Sequence, residues 1–122
     1  MTPDQAARAL AGISTANISD ALFHLGHKDR TMRARIKPVA PEMRLFGPAL
    51  TVKAYPGGTH ACSLALKDVQ PGEVIVIDGG GFTDAILWGE IFSHMAALAG
   101  CAGAVIDGAV RDIDGVVELG FP

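Results

Sequence analysis

An α/β fold is the prediction for this chain of 122 residues, and three observations carry it. Two short apolar runs, EVIVID at Glu73 to Asp78 and AVI at Ala104 to Ile106, read as buried strands. Segments with helical spacing and cap signals alternate with the strand-like runs, which suits helices packed on a sheet rather than an all-β arrangement. The composition is 49% apolar but only 6% aromatic, so a core of Ala, Val, Leu and Ile is expected within a single small domain spanning residues 1–122.

Taken in order, Thr2 caps a first helix that starts at Pro3, where the missing N–H costs nothing, and Gly12 ends it. Ser14 or Thr15 caps a second helix through Ile18, Ala21 and Leu22, with Gly26 as its stop. Ala49 to Tyr55 is a strand with Thr and Val at its centre, broken by Pro56-Gly57-Gly58. A short helix from about Thr59 to Leu66 and a turn at Gln70-Pro71-Gly72 lead into the EVIVID strand. Gly79-Gly80-Gly81 then reads as a flexible turn, because it lacks the GxxxxGK[ST] and GxGxxG patterns of phosphate-cradling loops. The next helix starts either at a Thr83 cap or only near Gly89. Its Ile91, Met95 and Leu98, with the small Ala96, Ala97 and Ala99, suit close packing on a sheet, and Gly100 ends it. The AVI strand follows, and Asp107-Gly108 turns the chain.

Several function classes are disfavoured. A net charge of −3 argues against bulk binding of nucleic acid. The segment from His27 to Lys37 gathers five of the ten Lys and Arg residues. Without interleaved aromatics it reads as a solvated loop rather than a phosphate patch. No apolar run approaches the roughly 20 residues of a membrane span, and MTPDQAARAL lacks the basic-then-apolar order of a secretory signal. Cys62 and Cys101 have no zinc-site spacing and read as small buried residues, which fits the cytoplasm.

The stretch from Asp84 to Asp112 carries the chemistry. Glu90 follows Gly89 at a candidate helix start, and Arg111-Asp112 follows a strand; residues 91–110 lie between them. Ligands in α/β proteins collect past the carboxyl ends of strands. There a guanidinium offers a planar fork to a carboxylate or enolate oxygen, and an adjacent Asp can ligate Mg²⁺ or Mn²⁺. Amides at a helix start bind an anion, and a Glu beside that anion could orient a water or act as base. The plainer readings are a surface Arg with Asp112 opening a helix, and a Glu that answers the helix dipole. His94 shares a face with Glu90 but has no second His, so it reads as structural. His24, His27 and His60 form no constellation. Lys53 would be a Schiff-base lysine if desolvated, but an exposed strand lysine is the commoner case.

GGGFTDAILWGEIFSHMAALAGCAGAVIDGAVRDIDG closely resembles the core of the RraA-like family, and ISDAL at Ile18 to Leu22 and GPALTV at Gly47 to Val52 fit the same family. Its members include 4-hydroxy-4-methyl-2-oxoglutarate/4-carboxy-4-hydroxy-2-oxoadipate aldolases and RraA regulators of ribonuclease E. The resemblance implies a swivelling β/β/α domain, in trimers or hexamers with sites between subunits. It implies that Asp112 holds a divalent metal, Mg²⁺ or Mn²⁺. Arg111 then binds the pyruvyl oxygen of a small 2-oxo acid, the amides around Gly89, Glu90 and Ile91 receive its carboxylate, and Glu90 positions water for proton transfer.

Two departures from the pattern stand out. Glu90 occupies a position where the aldolases use Asp, which moves the carboxylate by about a methylene. The chain ends at Leu119-Gly120-Phe121-Pro122, where the family continues into further strands, so a truncated C-terminus is expected. The first functional expectation is a metal-dependent pyruvate aldolase or oxaloacetate decarboxylase working through a pyruvate enolate. The second is a non-catalytic regulator that binds a ribonuclease or another protein. The third is a lysine Schiff-base aldolase.

Overall fold

The computed structural model describes residues 1–122, the side chain of Pro3 excepted. They group into two compact units, Met1–Ile36 and Lys37–Pro122. The first holds helices α1 (Pro3–Leu10) and α2 (Thr15–His24). At the start of α1 the Gln5 amide donates to Thr2 Oγ1 and the Thr2 amide donates to Gln5 Oε1, a reciprocal capping box. Ser14, not Thr15, caps α2, its Oγ accepting from the Asn17 amide at 3.2 Å. The basic segment after α2 forms neither helix nor strand. Of its charged groups, Lys28 lies 4.7 Å over the Phe23 ring.

The second unit contains β1 (Ala49–Lys53), α3 (Thr59–Asp68), β2 (Val74–Trp88), α4 (Glu90–Leu98), β3 (Gly103–Val110) and α5 (Ile113–Leu119). The strands form one parallel sheet in the order β1-β2-β3, so each crossover carries a helix. The α/β prediction therefore holds, and α3 packs on β1 and β2 while α4 packs on β3 and on α3. The central strand β2 is the one buried most deeply, with Ile75 and Ile77 almost wholly out of solvent. By contrast β3 is half-buried along nearly all its length, because it is an edge strand with β2 as its one neighbour in the sheet. The expectation of full burial there is corrected.

Three further expectations also change. Gly79-Gly80-Gly81 is part of β2 rather than a turn that ends it. Gly80 and Gly81 take φ values of 67° and 72°, which glycine adopts without steric cost, and the strand bulges there and then resumes pairing from Phe82. Residues 83–88 are therefore strand, and α4 starts at Glu90 with Gly89 at its N-cap. Asp107-Gly108 likewise does not turn the chain; β3 runs on to Val110. On α4 the expected packing holds for Ala96 and Ala99 but not for the larger side chains. Ser93 and Ala96 are fully buried, while Ile91, Met95 and Leu98 point outward. Small side chains allow the close approach, and the large ones are left on the opposite side of the helix.

Around the sheet, Leu66, Val69, Leu87, Trp88, Ala96 and Phe121 complete the core. Cys62 and Cys101 are both buried and unpaired, as read from the sequence. Burial pushes the Cys62 thiol up from its ordinary range, so it holds little thiolate. The polar exception inside is Ser93. Its hydroxyl accepts from Trp88 Nε1 at 3.0 Å and donates to the Gly89 carbonyl at 3.1 Å. This one group ties the last residue of β2, the N-cap of α4 and the first turn of α4 together. Ser93→Ala is expected to leave the buried indole N–H without a partner and to destabilise the fold by about 1–3 kcal/mol. Urea denaturation followed by Trp88 fluorescence measures this, and an unchanged midpoint would contradict the linkage.

Candidate active site

The site forms where two strands end side by side. Trp88 of β2 pairs with Val110 of β3, and the Arg111 amide donates to the Trp88 carbonyl at 3.2 Å. The residues after each strand, Gly89-Glu90 and Arg111-Asp112, therefore emerge next to one another at the carboxyl edge of a parallel sheet, where ligands bind in open α/β folds. A cleft of about 140 Å³ opens there, lined by Thr59, Ile86, Trp88, Gly89, Glu90, Ile91, Phe92, Arg111 and Asp112.

Gly89 is fully extended, so its conformation does not require glycine. What it supplies is space: a Cβ would lie 3.2 Å from both Arg111 Cγ and the Arg111 carbonyl oxygen. No side chain caps the start of α4. The first amides of a helix have no partners within it, so an uncapped start retains donors for an anion.

Asp112 has the only positive φ outside glycine among the described residues, with φ 56° and ψ 43°. It stands at the N-cap of α5 yet makes no side-chain cap bond. An ordinary N-cap Asp has extended backbone and bonds the next turn. Here the carboxylate turns to Arg111 instead, with Oδ2 accepting from Nε at 2.9 Å. The left-handed turn thus directs both members of the pair to the cleft, and a non-glycine residue held there carries some strain. Both side chains remain about half exposed, so their mutual attraction adds little to stability.

Glu90 and His94 face each other one turn apart, with Oε1 3.6 Å from Nε2. Of the residues singled out from the sequence, Gly89, Glu90, Ile91, Arg111 and Asp112 share the cleft. Lys53 does not. It lies exposed at the end of β1, its ammonium 2.7 Å from Asp78 Oδ2. The apolar wall of Ile86, Trp88 and Phe92 and the polar Thr59 were not anticipated. Trp88, the one tryptophan, immediately precedes the Gly-Glu pair and was the available signal.

Among the described residues no three His, Cys, Asp or Glu side chains gather as a metal cage. The donors present suit a different kind of site. A carboxylate offers about four acceptor positions, so the bond from Arg111 leaves Asp112 capacity for a hard cation. Mg²⁺ is commonly held by one or two carboxylates while keeping several waters. The residues fit such an ion.

An α/β chain that joins an arginine–carboxylate pair to an uncapped helix start at adjacent strand ends has the build of a small-anion site. A family model described as Aldolase/RraA matches residues 15–122, and the chain belongs to the RraA-like family. It is 40% identical over 110 residues to a Halalkalibacterium halodurans protein that carries the provisional name 4-hydroxy-4-methyl-2-oxoglutarate aldolase, covering 90% of this chain and 50% of that one. It is 34% identical over 118 residues to the Legionella pneumophila protein DlpA, covering 93% of this chain and 19% of that one. Among solved structures, an uncharacterized Pseudomonas syringae protein superposes with a TM-score of 0.86 at 35% identity, covering 99% of this chain and 56% of that one. Streptomyces coelicolor RraAS2, described as an unusual member of the RNase ES inhibitor RraA protein family, gives 0.75 at 33% identity, covering 94% and 59%. The chain thus spans about half the length of the first of these relatives. No helix among the described residues is long and apolar enough to cross a membrane.

The left-handed turn makes a stability prediction. Asp112→Gly is expected to be more stable than Asp112→Ala by about 1–2 kcal/mol, because only the alanine pays for a Cβ in that region. Chemical denaturation of the two variants measures the difference, and equal stabilities would contradict the turn.

Proposed function

We propose that the chain carries the core of a divalent-metal-dependent pyruvate aldolase of the 4-hydroxy-4-methyl-2-oxoglutarate type, able also to decarboxylate oxaloacetate. The observation that supports it most is the joint placement of Arg111, Asp112 and the uncapped start of α4 in one cleft. Aldol cleavage removes the proton of the 4-hydroxyl as the C–C bond breaks and releases a second 2-oxo acid, whereas decarboxylation releases CO₂; both leave the electron pair on a pyruvate enolate, which takes up a proton at its methylene carbon. The cleft offers one group for each need. The amides of Gly89, Glu90 and Ile91 receive the substrate carboxylate. The planar fork of Arg111 faces the pyruvyl oxygen and steadies the negative charge that grows on it. Glu90 orients the water that exchanges the proton.

Asp112 would hold Mg²⁺ or Mn²⁺, hard cations that suit carboxylate and water ligands. Such an ion supplies Lewis-acid polarisation of the 2-oxo acid when bound. The wall of Ile86, Trp88 and Phe92 sets a low-polarity surface beside these charges.

The likeness to RraAS2 supports a second reading, a regulator that binds a ribonuclease or another protein without catalysis. A Schiff-base route through Lys53 has less support, since that lysine is exposed and paired with Asp78. The outward Ile91, Met95 and Leu98 of α4 support assembly into a homo-oligomer.

Proton exchange at the methyl of pyruvate, followed by NMR in D₂O with Mg²⁺ or Mn²⁺, tests the proposal without the natural substrate. Exchange is expected in the wild type and is expected to stop on thorough chelation. Asp112→Ala should abolish it. Arg111→Ala should lower kcat by about 10²-fold or more, and Arg111→Lys should restore only part, since a point charge cannot reproduce the fork. Glu90→Gln should slow exchange while leaving metal binding largely intact. Exchange that persists undiminished in all these variants would sink the site, and no exchange with either metal would leave the regulator as the better account.

A further inference from the structure

We infer that Gly115 is a positioning residue for Glu90, its missing side chain forming the seat on which the longer acid rests. Gly115 lies in the first turn of α5 and does not have a positive φ. Nothing in its backbone asks for glycine, and glycine is the poorest helix former after proline. Its environment supplies the reason. A Cβ at position 115 would fall inside the Glu90 side chain, 2.5 Å from Oε2 and 2.8 Å from Cγ, with Cδ nearer still. Those three Glu90 atoms are the nearest neighbours such a Cβ would meet.

The other carboxylate oxygen, Oε1, faces His94 Nε2 at 3.6 Å. The half-exposed Glu90 side chain therefore lies between the next turn of its own helix and the first turn of α5, and a Cβ at 115 would displace it from that place. That first turn begins at Ile113, directly after Asp112, so the seat places Glu90 beside the same turn that presents Arg111 and Asp112. An aspartate at position 90 would end a methylene earlier and would not fill the seat. The length of the acid at 90 and the absence of a side chain at 115 are thus coupled: helix propensity is given up in α5 so that a glutamate can sit at the cleft.

The packing part of this inference stands on geometry alone; its catalytic consequence rests on the aldolase reading. Two double-mutant cycles test the parts separately. In the first, melting temperatures are measured for Gly115→Ala in the wild-type and in the Glu90→Ala backgrounds. The alanine is expected to raise the melting temperature less when Glu90 is present than when Glu90 is absent, because only with Glu90 must a side chain be displaced from the seat. A shift of the same sign and size in both backgrounds would overturn the seat.

In the second, pyruvate proton exchange is measured for Gly115→Ala and for Gly115→Ala with Glu90→Asp. Gly115→Ala is expected to lower kcat at least tenfold with KM for pyruvate little changed, and the shorter acid is expected to recover most of that loss. Unchanged kcat in Gly115→Ala, or no recovery in the double variant despite a melting temperature at or above wild type, would overturn the positioning role. Absence of exchange in the wild type would count against the aldolase reading and the catalytic consequence together, while the melting-temperature cycle would still decide the seat.

Discussion

The pairing of Trp88 with Val110 is the constraint on which the rest of the site depends. Between Asp78 and Trp88 the strand β2 advances ten residues, while β3 advances three, from Asp107 to Val110. The difference is taken up by successive register shifts at Phe82, Ile86 and Trp88. Without them the Gly-Glu and Arg-Asp pairs would leave the sheet at different heights. With them, the Arg111 amide reaches the Trp88 carbonyl and both pairs enter one cleft. Bulges that re-aim a strand end beside a site are a known use of irregular pairing. Ser93 then clamps the far side of the same junction, through Trp88 and Gly89.

The parts of the fold legible in the sequence were those written in local chemistry. Thr2 and Ser14 announce the two N-terminal helices by their caps, and EVIVID announces the central strand by its apolar run. What was illegible depends on partners far along the chain. A glycine triplet reads as a turn because nothing nearby says that β3 waits to pair with the residues beyond it. Residues 83–88 could be read as a helix start for the same reason. On α4 periodicity finds an apolar stripe but not which stripe meets the sheet; the expected Ala96 is buried, but Ser93 joins it while Ile91, Met95 and Leu98 stay outside. The spacing of Glu90 and Arg111 suggested convergence, and the βαβ crossover accounts for it. Gly115 could not have been found from the sequence, since a lone glycine in a short helix does not disclose what occupies its missing side chain.

The site spends stability on geometry in two places. Asp112 holds a backbone conformation that glycine would take more easily, and Gly115 holds a helical position that alanine would favour. Each concession is matched by a side chain placed at the cleft: the Asp112 carboxylate against Arg111, and the Glu90 carboxylate against the first turn of α5. Local departures from propensity that serve a cluster of charged groups are what a functional site is expected to show. The core below them, built on Ile75, Ile77, Leu87 and Trp88, follows the ordinary rules of burial.

The central claim is that Asp112 holds a divalent cation at a pocket shaped for a 2-oxo acid. An electron paramagnetic resonance titration with Mn²⁺, in the absence and presence of oxalate as a planar enolate mimic, tests it most directly. The account predicts Mn²⁺ binding that oxalate tightens in the wild-type protein and that Asp112→Ala removes. Mn²⁺ binding that is equally strong in Asp112→Ala, or that oxalate leaves untouched in the wild type, would contradict it.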